Sequence, residues 1–465
     1  MSVVPETPDA PRSLSSPLTL PNGQVLPNRI MKSALSEALG TSDNAPDIRL
    51  TRLYGRWAEG GYGLLVTGNV MVDHRHLGEP GNVAVEDRRD MDALSRWAKT
   101  AQDGGTPIWM QINHPGRQGN PVTTVGGTIA PSAVGLDIPG IPAPRAATTD
   151  EIESIIERFA VTAALAEEAG FDGVQIHAAH GYLVSQFLSP LSNVRTDEWG
   201  GDIDGRARFL LEVIRRVRSR VSPGFAVGVK LNSADFQRGG FSEDESRAVI
   251  AMIGDLPVDL IEISGGSYES PAMMGKSVSA STASREAYFL EYAVTVRDIA
   301  PHIPLAVTGG FRTRAGMDDA IASSACHVVG LGRPTAVAPD AARDVLSGRI
   351  DTLPSPSISV PVPARFATTR SVRSLDGLLD LQWHTDQLHR MGAGKEPDPA
   401  RPITRTLVSS LQRNGIDAVR AKRRGPAGAP SAAASSRMAG VLSLVRRYVV
   451  GPIVRIFRGG PTSGA

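Results

Sequence analysis

The chain has 465 residues, 41% hydrophobic and 21% charged, with 49 Lys and Arg against 48 Asp and Glu and a formal net charge of +1. That is the composition of a globular enzyme, large enough for one α/β barrel plus an appendage or for two or three ordinary domains. Its single cysteine, Cys326, excludes an internal disulfide, a zinc cluster and a cysteine-ligated iron–sulfur centre.

In chain order, Met1 to Pro17 is polar and proline-bearing, a flexible start with no apolar core of a signal peptide, so a reducing cytoplasmic setting is expected. Leu18–Pro27 reads as a hairpin around Pro21-Asn22-Gly23 that plugs the closed end of whatever follows. Eight short apolar runs come next: Ile30–Ala34, Gly63–Thr67, Pro107–Ile112, Gly173–His177, Ala226–Leu231, Leu260–Ser264, Leu305–Thr308 and Val328–Leu331. Each is rich in Val and Ile, as strands covered on both faces should be. Helix-like stretches separate them. The clearest is Asp150–Ala169, with a Thr148/Glu151 capping box before it and Gly170 as its stop. Eight strand–helix alternations predict an α/β fold, a (β/α)8 TIM barrel over residues 18–350, a class that typically needs ~250 residues. A doubly wound sheet is less favoured, because no Gly-rich dinucleotide fingerprint follows the first strand.

The connection Gly116–Thr149, rich in Gly, Pro and Ala, is expected on the open side of the barrel, shaping its mouth. Residues 351–400 read as a linker, proline-rich over Pro354–Pro363, and a helix over Ser374–Met391 with Leu375, Leu378, Leu379 and Leu388. Residues 401–465 carry 12 Lys and Arg against one acid, Asp417. This basic tail of +11 leaves −10 for the body. Its low-complexity run 424–436 predicts disorder.

The chemistry-bearing residues sit at strand ends. The fourth run closes on His177-Ala-Ala-His180-Gly-Tyr182, and strand tips are where a parallel α/β fold puts its reactive groups. The two histidines can grip an oxygen of an electron-withdrawing group; a metal would need further ligands, and a core histidine satisfied by a carbonyl is the plainer alternative. Tyr182 is a candidate proton donor, since a phenol stays protonated at neutral pH, or else a packed core tyrosine. Thr308-Gly309-Gly310 and Gly330-Leu331-Gly332-Arg333 follow the last two strands, where such barrels hold a phosphate with backbone N–H groups and an arginine. Glycines also mark ordinary turns. Lys230 ends the fifth strand, where a fixed cation would favour a reduced, negatively charged ring; a lysine at a strand end can equally face water.

Together with these, Met110-Gln111-Ile112-Asn113-His114-Pro115-Gly116-Arg117 and Asn28-Arg29-Ile30-Met31-Lys32-Ser33-Ala34-Leu35-Ser36 make the chain resemble the Old Yellow Enzyme family of flavin-dependent ene-reductases over about residues 18–350. The resemblance implies FMN in the barrel mouth. His177 and His180 would polarise a carbonyl or nitro group, with His177 also against the flavin, and Tyr182 would donate the proton. Ala34, Leu35, Ser36, Asn69, Gln111, Lys230, Gly309, Gly310, Gly332 and Arg333 would hold the cofactor. Ser36 stands where the family has Thr or Cys, Ala34 where it has proline, Trp199 where it has tyrosine and Lys230 where it has arginine. Gly68-Asn69 replaces an acid and an alanine. The dienoyl-CoA reductase branch, which carries an iron–sulfur cluster, is excluded by the lone cysteine. A single phosphate site favours FMN over FAD, with NADPH or NADH as the reductant.

The expected activity is therefore hydride transfer from NAD(P)H through the flavin to an activated alkene, an enone or nitroalkene, or to a quinone-like acceptor. A flavin-free barrel of the aldolase or hydrolase type, or a non-catalytic scaffold working through its tail, are the alternatives. The expected partner is a small molecule, with no nucleic acid and no metal, and the oligomeric state is open. In the tail, residues 438–458 form an amphipathic segment broken by Pro452 and interrupted by Arg446, Arg447 and Arg455. An arginine at a bilayer centre costs ~2.5–3.5 kcal/mol, so the segment should not span a membrane. It could lie on the anionic inner face of one, dock on the acidic body or a partner, or stay disordered.

Overall fold

The computed structural model describes residues 12–136, 142–266, 289–356, 358 and 370–413. The low-complexity run 424–436 and the amphipathic segment 438–458 lie outside them, as does the N-terminal stretch through residue 11. Among the described residues no helix is long and apolar enough to cross a membrane.

Eight parallel strands fall on the eight apolar runs: β1 (Ile30–Lys32), β2 (Leu64–Val66), β3 (Ile108–Asn113), β4 (Gly173–Ala178), β5 (Ala226–Asn232), β6 (Leu260–Ser264), β7 (Leu305–Thr308) and β8 (Val328–Leu331). Each pairs with the next, and Val329 opposite Ile30 closes the ring between β8 and β1. All eight are buried along their length, apart from a partly exposed Thr308, because helices cover them outside and packed side chains fill them inside. The helices are α1 (Ile48–Ala58), α2 (Met91–Asp103), α3 (Thr149–Glu168), α4 (Leu183–Leu188), α5 (Ile203–Arg220) and α6 (Glu243–Gly254). They continue with α7 (Leu290–Val296), α8 (Arg314–Ala322), α9 (Pro334–Val337), α10 (Ala341–Leu346), α11 (Arg370–Gly392) and α12 (Ile403–Leu411).

The barrel floor is an apolar plug. Met31, Leu64, Trp109, Leu260 and Val328 meet Leu18, Leu20 and Leu26 of the hairpin, in which Leu18 lies opposite Leu26. Trp109 Nε1 donates to Gln24 Oε1 at 2.9 Å, and Asn22 reaches the Gly224 carbonyl at 2.8 Å, so polar atoms pin the lid while the leucines fill it. With the floor sealed, only the C-terminal ends of the strands are left to build a site.

Helix α3 starts one residue before the sequence-based boundary, and both halves of the Thr148/Glu151 capping box are present. Arg145 holds the Glu151 carboxyl down to about 2. Thr148→Ala should cost ~1 kcal/mol, read from urea unfolding. The Glu151 share is complete above its ordinary 4.5 and is lost as the pH falls from there toward 2.

The C-terminal boundaries differ from the sequence division. Packing does not stop at residue 350: Leu353 is buried, and Leu353, Pro354, Ser355 and Pro356 line the barrel mouth instead of leading away from it. Helix α11 packs against α1 and α9. Its Leu379, Trp383, Leu388 and Met391 are buried, while the side chains of Leu375 and Leu378 lie outside the described set. Residues 401–413, assigned by composition to the basic tail, are folded onto the body. Arg401 and Arg413 both bind the buried Asp386, and α12 packs on α11.

Candidate active site

One cavity opens at the C-terminal ends of the strands and gathers every site residue singled out from the sequence. Ala34, Leu35 and Ser36 enter it after β1, Asn69 after β2 and Gln111 from β3. His177, His180 and Tyr182 come from the end of β4, and Lys230 from β5. Gly309 and Gly310 follow β7, and Gly332 and Arg333 follow β8.

The histidine pair is shaped by its backbone. His180 has φ +63°, a left-handed conformation costly for a side chain larger than glycine, and Gly181 follows at +75°. The turn is held by the His180 N–H on Asn232 Oδ1 at 3.2 Å, and it brings His180 Nε2 to Ser264 Oγ at 2.8 Å. His177 Nδ1 accepts the Ala179 N–H at 3.2 Å, which leaves its ring hydrogen on Nε2. The two rings stand 5.1 Å apart edge to face, and the Tyr182 ring lies 4.9 Å from His177. Burial pushes both histidines well below 6.5, reinforced at His177 by His180 and Lys230 and at His180 by Lys230. Both are neutral at physiological pH and can donate without carrying charge.

Lys230 is fully engaged with the chain. Its Nζ lies 2.9 Å from Glu262 Oε1, both groups being buried, and Glu262 also accepts from Thr308 Oγ1 at 2.6 Å and from Gln175 Nε2 at 2.7 Å. Gln175 in turn accepts from Gln111 Nε2 at 2.7 Å. The floor of the site is thus one hydrogen-bonded chain running through β3, β4, β5, β6 and β7, and the lysine charge is balanced by a carboxylate. In the loops that follow β7 and β8, no acceptor among the described residues takes the backbone N–H of Gly309, Gly310 or Gly332. Gly309 and Gly310 have φ +136° and +90°, open only to glycine at little cost. Arg333 stands beside them with Nη1 3.1 Å from Asp380 Oδ2 of α11.

Asn69 explains one departure from the family pattern. The Glu37 carboxylate accepts the Gly68 N–H at 2.8 Å and the Tyr54 hydroxyl, and a Cβ on Gly68 would fall 2.0 Å from Glu37 Oε2. Gly68 is therefore fixed by Glu37, and Asn69 is delivered to the mouth, where Nδ2 donates to Tyr182 Oη at 3.3 Å. Its Oδ1 is buried with no partner among the described residues. Ser36 donates to Glu79, whose carboxyl burial pushes up. Its hydroxyl hydrogen, expected on the flavin, is turned to that carboxylate here.

Sequence reasoning missed Glu262, Gln175, Asp380 and His384. A glutamate inside the apolar run Leu260–Ser264 and a glutamine inside Gly173–His177 were visible signals of a buried polar chain. Asp380 and His384 had none, because nothing local shows which face of α11 meets the mouth. Elsewhere Asp73, His76 and His114 bring ligand atoms within 4.8 Å of one another, but Asp73 is bound by Arg75 at 2.6 Å and lies 3.5 Å from Arg158, and two guanidinium groups oppose a cation there.

The residues fit FMN. The unpaired N–H groups beside a guanidinium suit a phosphate, and the Gln111–Gln175–Glu262–Lys230 chain offers a polar floor to the edge of a flat ring.

Comparison with known proteins agrees. The NADH:flavin oxidoreductase / NADH oxidase family matches residues 13–352. The chain is 40% identical over 376 residues, 75% of its length and 93% of the relative's, to the NADH-dependent flavin oxidoreductase iliE of Hypocrea jecorina (strain QM6a). Among solved structures it resembles the old yellow enzyme homologue from Zymomonas mobilis, with TM-score 0.62 and 24% identity over 73% of this chain and 94% of that one. It also resembles morphinone reductase in complex with tetrahydroNAD, with TM-score 0.61 and 25% identity over 74% and 93%. The flavin-free and scaffold alternatives fall away: the chain is a flavin-dependent oxidoreductase using FMN and NAD(P)H, and it belongs to the NADH:flavin oxidoreductase / NADH oxidase family, that of the Old Yellow Enzymes.

Proposed function

We propose that the acceptor is an alkene activated by a carbonyl or nitro group, or a quinone-like compound, with NADH or NADPH as the reductant. Bound FMN supplies the hydride-accepting and hydride-donating chemistry. One observation carries the reading: a second neutral imidazole and a phenol each lie about 5 Å from the His177 ring, beside the glycine loops and Arg333. His177 offers an N–H at Nε2, and His180 stands next to it, so both flank the position of one acceptor oxygen. Neutral donors polarise that oxygen without giving up a full proton. Tyr182 is then placed to protonate the carbon beside the activating group. Asn69, donating to the phenol oxygen, stabilises the negative charge left there.

Purified, reconstituted protein should be yellow and release FMN on denaturation. Anaerobically reduced by NADH or NADPH, it should be reoxidised by enones, nitroalkenes or quinones in stopped flow. Reoxidation by oxygen alone, with none of these acceptors competent, would sink the proposal in favour of a plain oxidase. Arg333→Ala should weaken FMN retention by ~1.5–3 kcal/mol, about ten- to a hundredfold in Kd. Fluorescence titration of the stripped protein measures it, and an unchanged Kd would place the phosphate elsewhere.

A further inference from the structure

A second cavity, of about 740 Å³, lies beside the mouth. The partition between them is thin. Ser36 lines the mouth and Ala38 the second cavity; Ser36 is bonded to Glu79, while Pro80 and Gly81 line the far side. Helix α11 spans both, with His384 in the first and His389 in the second, and His389 Nε2 is tied to the Glu37 carbonyl of the partition at 2.9 Å.

The second cavity is basic. Arg49, Arg390, Lys395, Arg401 and Arg413 line it against Asp47 and Asp386, an excess of three positive charges among the described residues. Burial together with Arg413 and Arg49 pushes His389 down to about 4, so it is neutral and adds nothing. The single buried carboxylate of Asp386 holds two guanidinium groups, Arg401 at 3.0 Å and Arg413. Arg49 is paired with Asp47 at 3.1 Å and Arg390 donates to the Glu396 carbonyl at 3.1 Å, while no ion pair of Lys395 is seen among the described residues. A concave site with an excess of positive charge binds phosphate groups, arginines by their planar fork and lysine as a point charge.

We infer that this cavity takes the diphosphate of the nicotinamide dinucleotide reductant while its ring occupies the mouth, an assignment that rests on the reductase reading above. The reductant is the polyanion of the reaction, since an enone or a nitroalkene brings no charge for this positive excess to meet. Along the chain only Glu37 separates Ser36 of the mouth from Ala38 of the second cavity, so a molecule with its reactive ring in one cavity and its diphosphate in the next has only the width of that segment to span.

The test uses full-length, FMN-loaded protein and the variant Arg390→Ala/Lys395→Ala, two side chains outside the catalytic machinery. The KM for NADH or NADPH should rise about tenfold, with the limiting rate of flavin reduction unchanged. The rate with 1-benzyl-1,4-dihydronicotinamide, which has the ring without the diphosphate, should not move. ADP binding followed by calorimetry should weaken by the same factor, and Lys395→Glu should weaken it too. An unchanged KM, or an equal loss with the benzyl compound, overturns the inference. Failure of every dihydronicotinamide to reduce the unmodified protein would instead overturn the reductase reading itself, and this assignment with it.

Discussion

Tyr182→Phe should leave reduction of the flavin by NADH unchanged and slow reoxidation by an enone ~10²–10⁴-fold. The asymmetry follows from position. The tyrosine packs its ring against His177 at 4.9 Å and is 8% exposed, so phenylalanine keeps the shape of the pocket. What disappears is the hydroxyl, which accepts from Asn69 and in the proposed mechanism gives its proton to the alkene. Losing that hydrogen bond costs only ~1 kcal/mol of stability, too little to disturb the reductive half-reaction. Anaerobic stopped flow separates the two halves. A quinone, whose oxygens can take protons from solvent, should be much less affected than an enone. Equal slowing of both half-reactions would mean that the tyrosine merely packs the site.

Glu262→Ala should destabilise the fold by ~3–5 kcal/mol, because it strands a buried ammonium without its counter-charge. Lys230 is 2% exposed and Glu262 0%, so water cannot replace the lost partner. Thr308 and Gln175 lose their acceptor at the same time. The double variant Glu262→Leu/Lys230→Met should regain part of the loss, since the apolar pair strands no charge although Thr308 and Gln175 still lack their acceptor. Urea unfolding of the unmodified protein, Glu262→Leu, Lys230→Met and the double variant measures the coupling directly. If the single replacement cost less than 1 kcal/mol, the pair would be solvated in solution.

The barrel was legible because its physics is local. A strand covered on both faces has to be a short Val/Ile run, a capped helix has to begin near a residue such as Thr148, and reactive groups collect at strand tips such as His177–Tyr182. The polar chain beneath the site was half legible: Glu262 and Gln175 interrupt apolar runs, but only the closed ring shows that they meet. Residues 401–413 were misjudged because net charge was counted along the chain. Asp386 binds Arg401 and Arg413 through space, from 15 and 27 positions away. The docking of α11 was invisible for a related reason. Its contacts with α1 and with the loop after β1 reach back some three hundred residues or more, as in His389 on the Glu37 carbonyl.

That last feature has a consequence for how the protein is made. All eight strands and both glycine loops precede α11 in the chain, and nascent chains emerge from the N-terminus at only ~5–20 residues per second. For some seconds on the ribosome, therefore, the ring can close while Asp380 and His384 are still unmade or in the exit tunnel. A cofactor reaching the nascent protein meets an open rim, whereas one leaving the finished protein has to work past a docked helix. Loading and release then obey different barriers, and the protein can keep its cofactor for longer than equilibrium affinity alone would suggest.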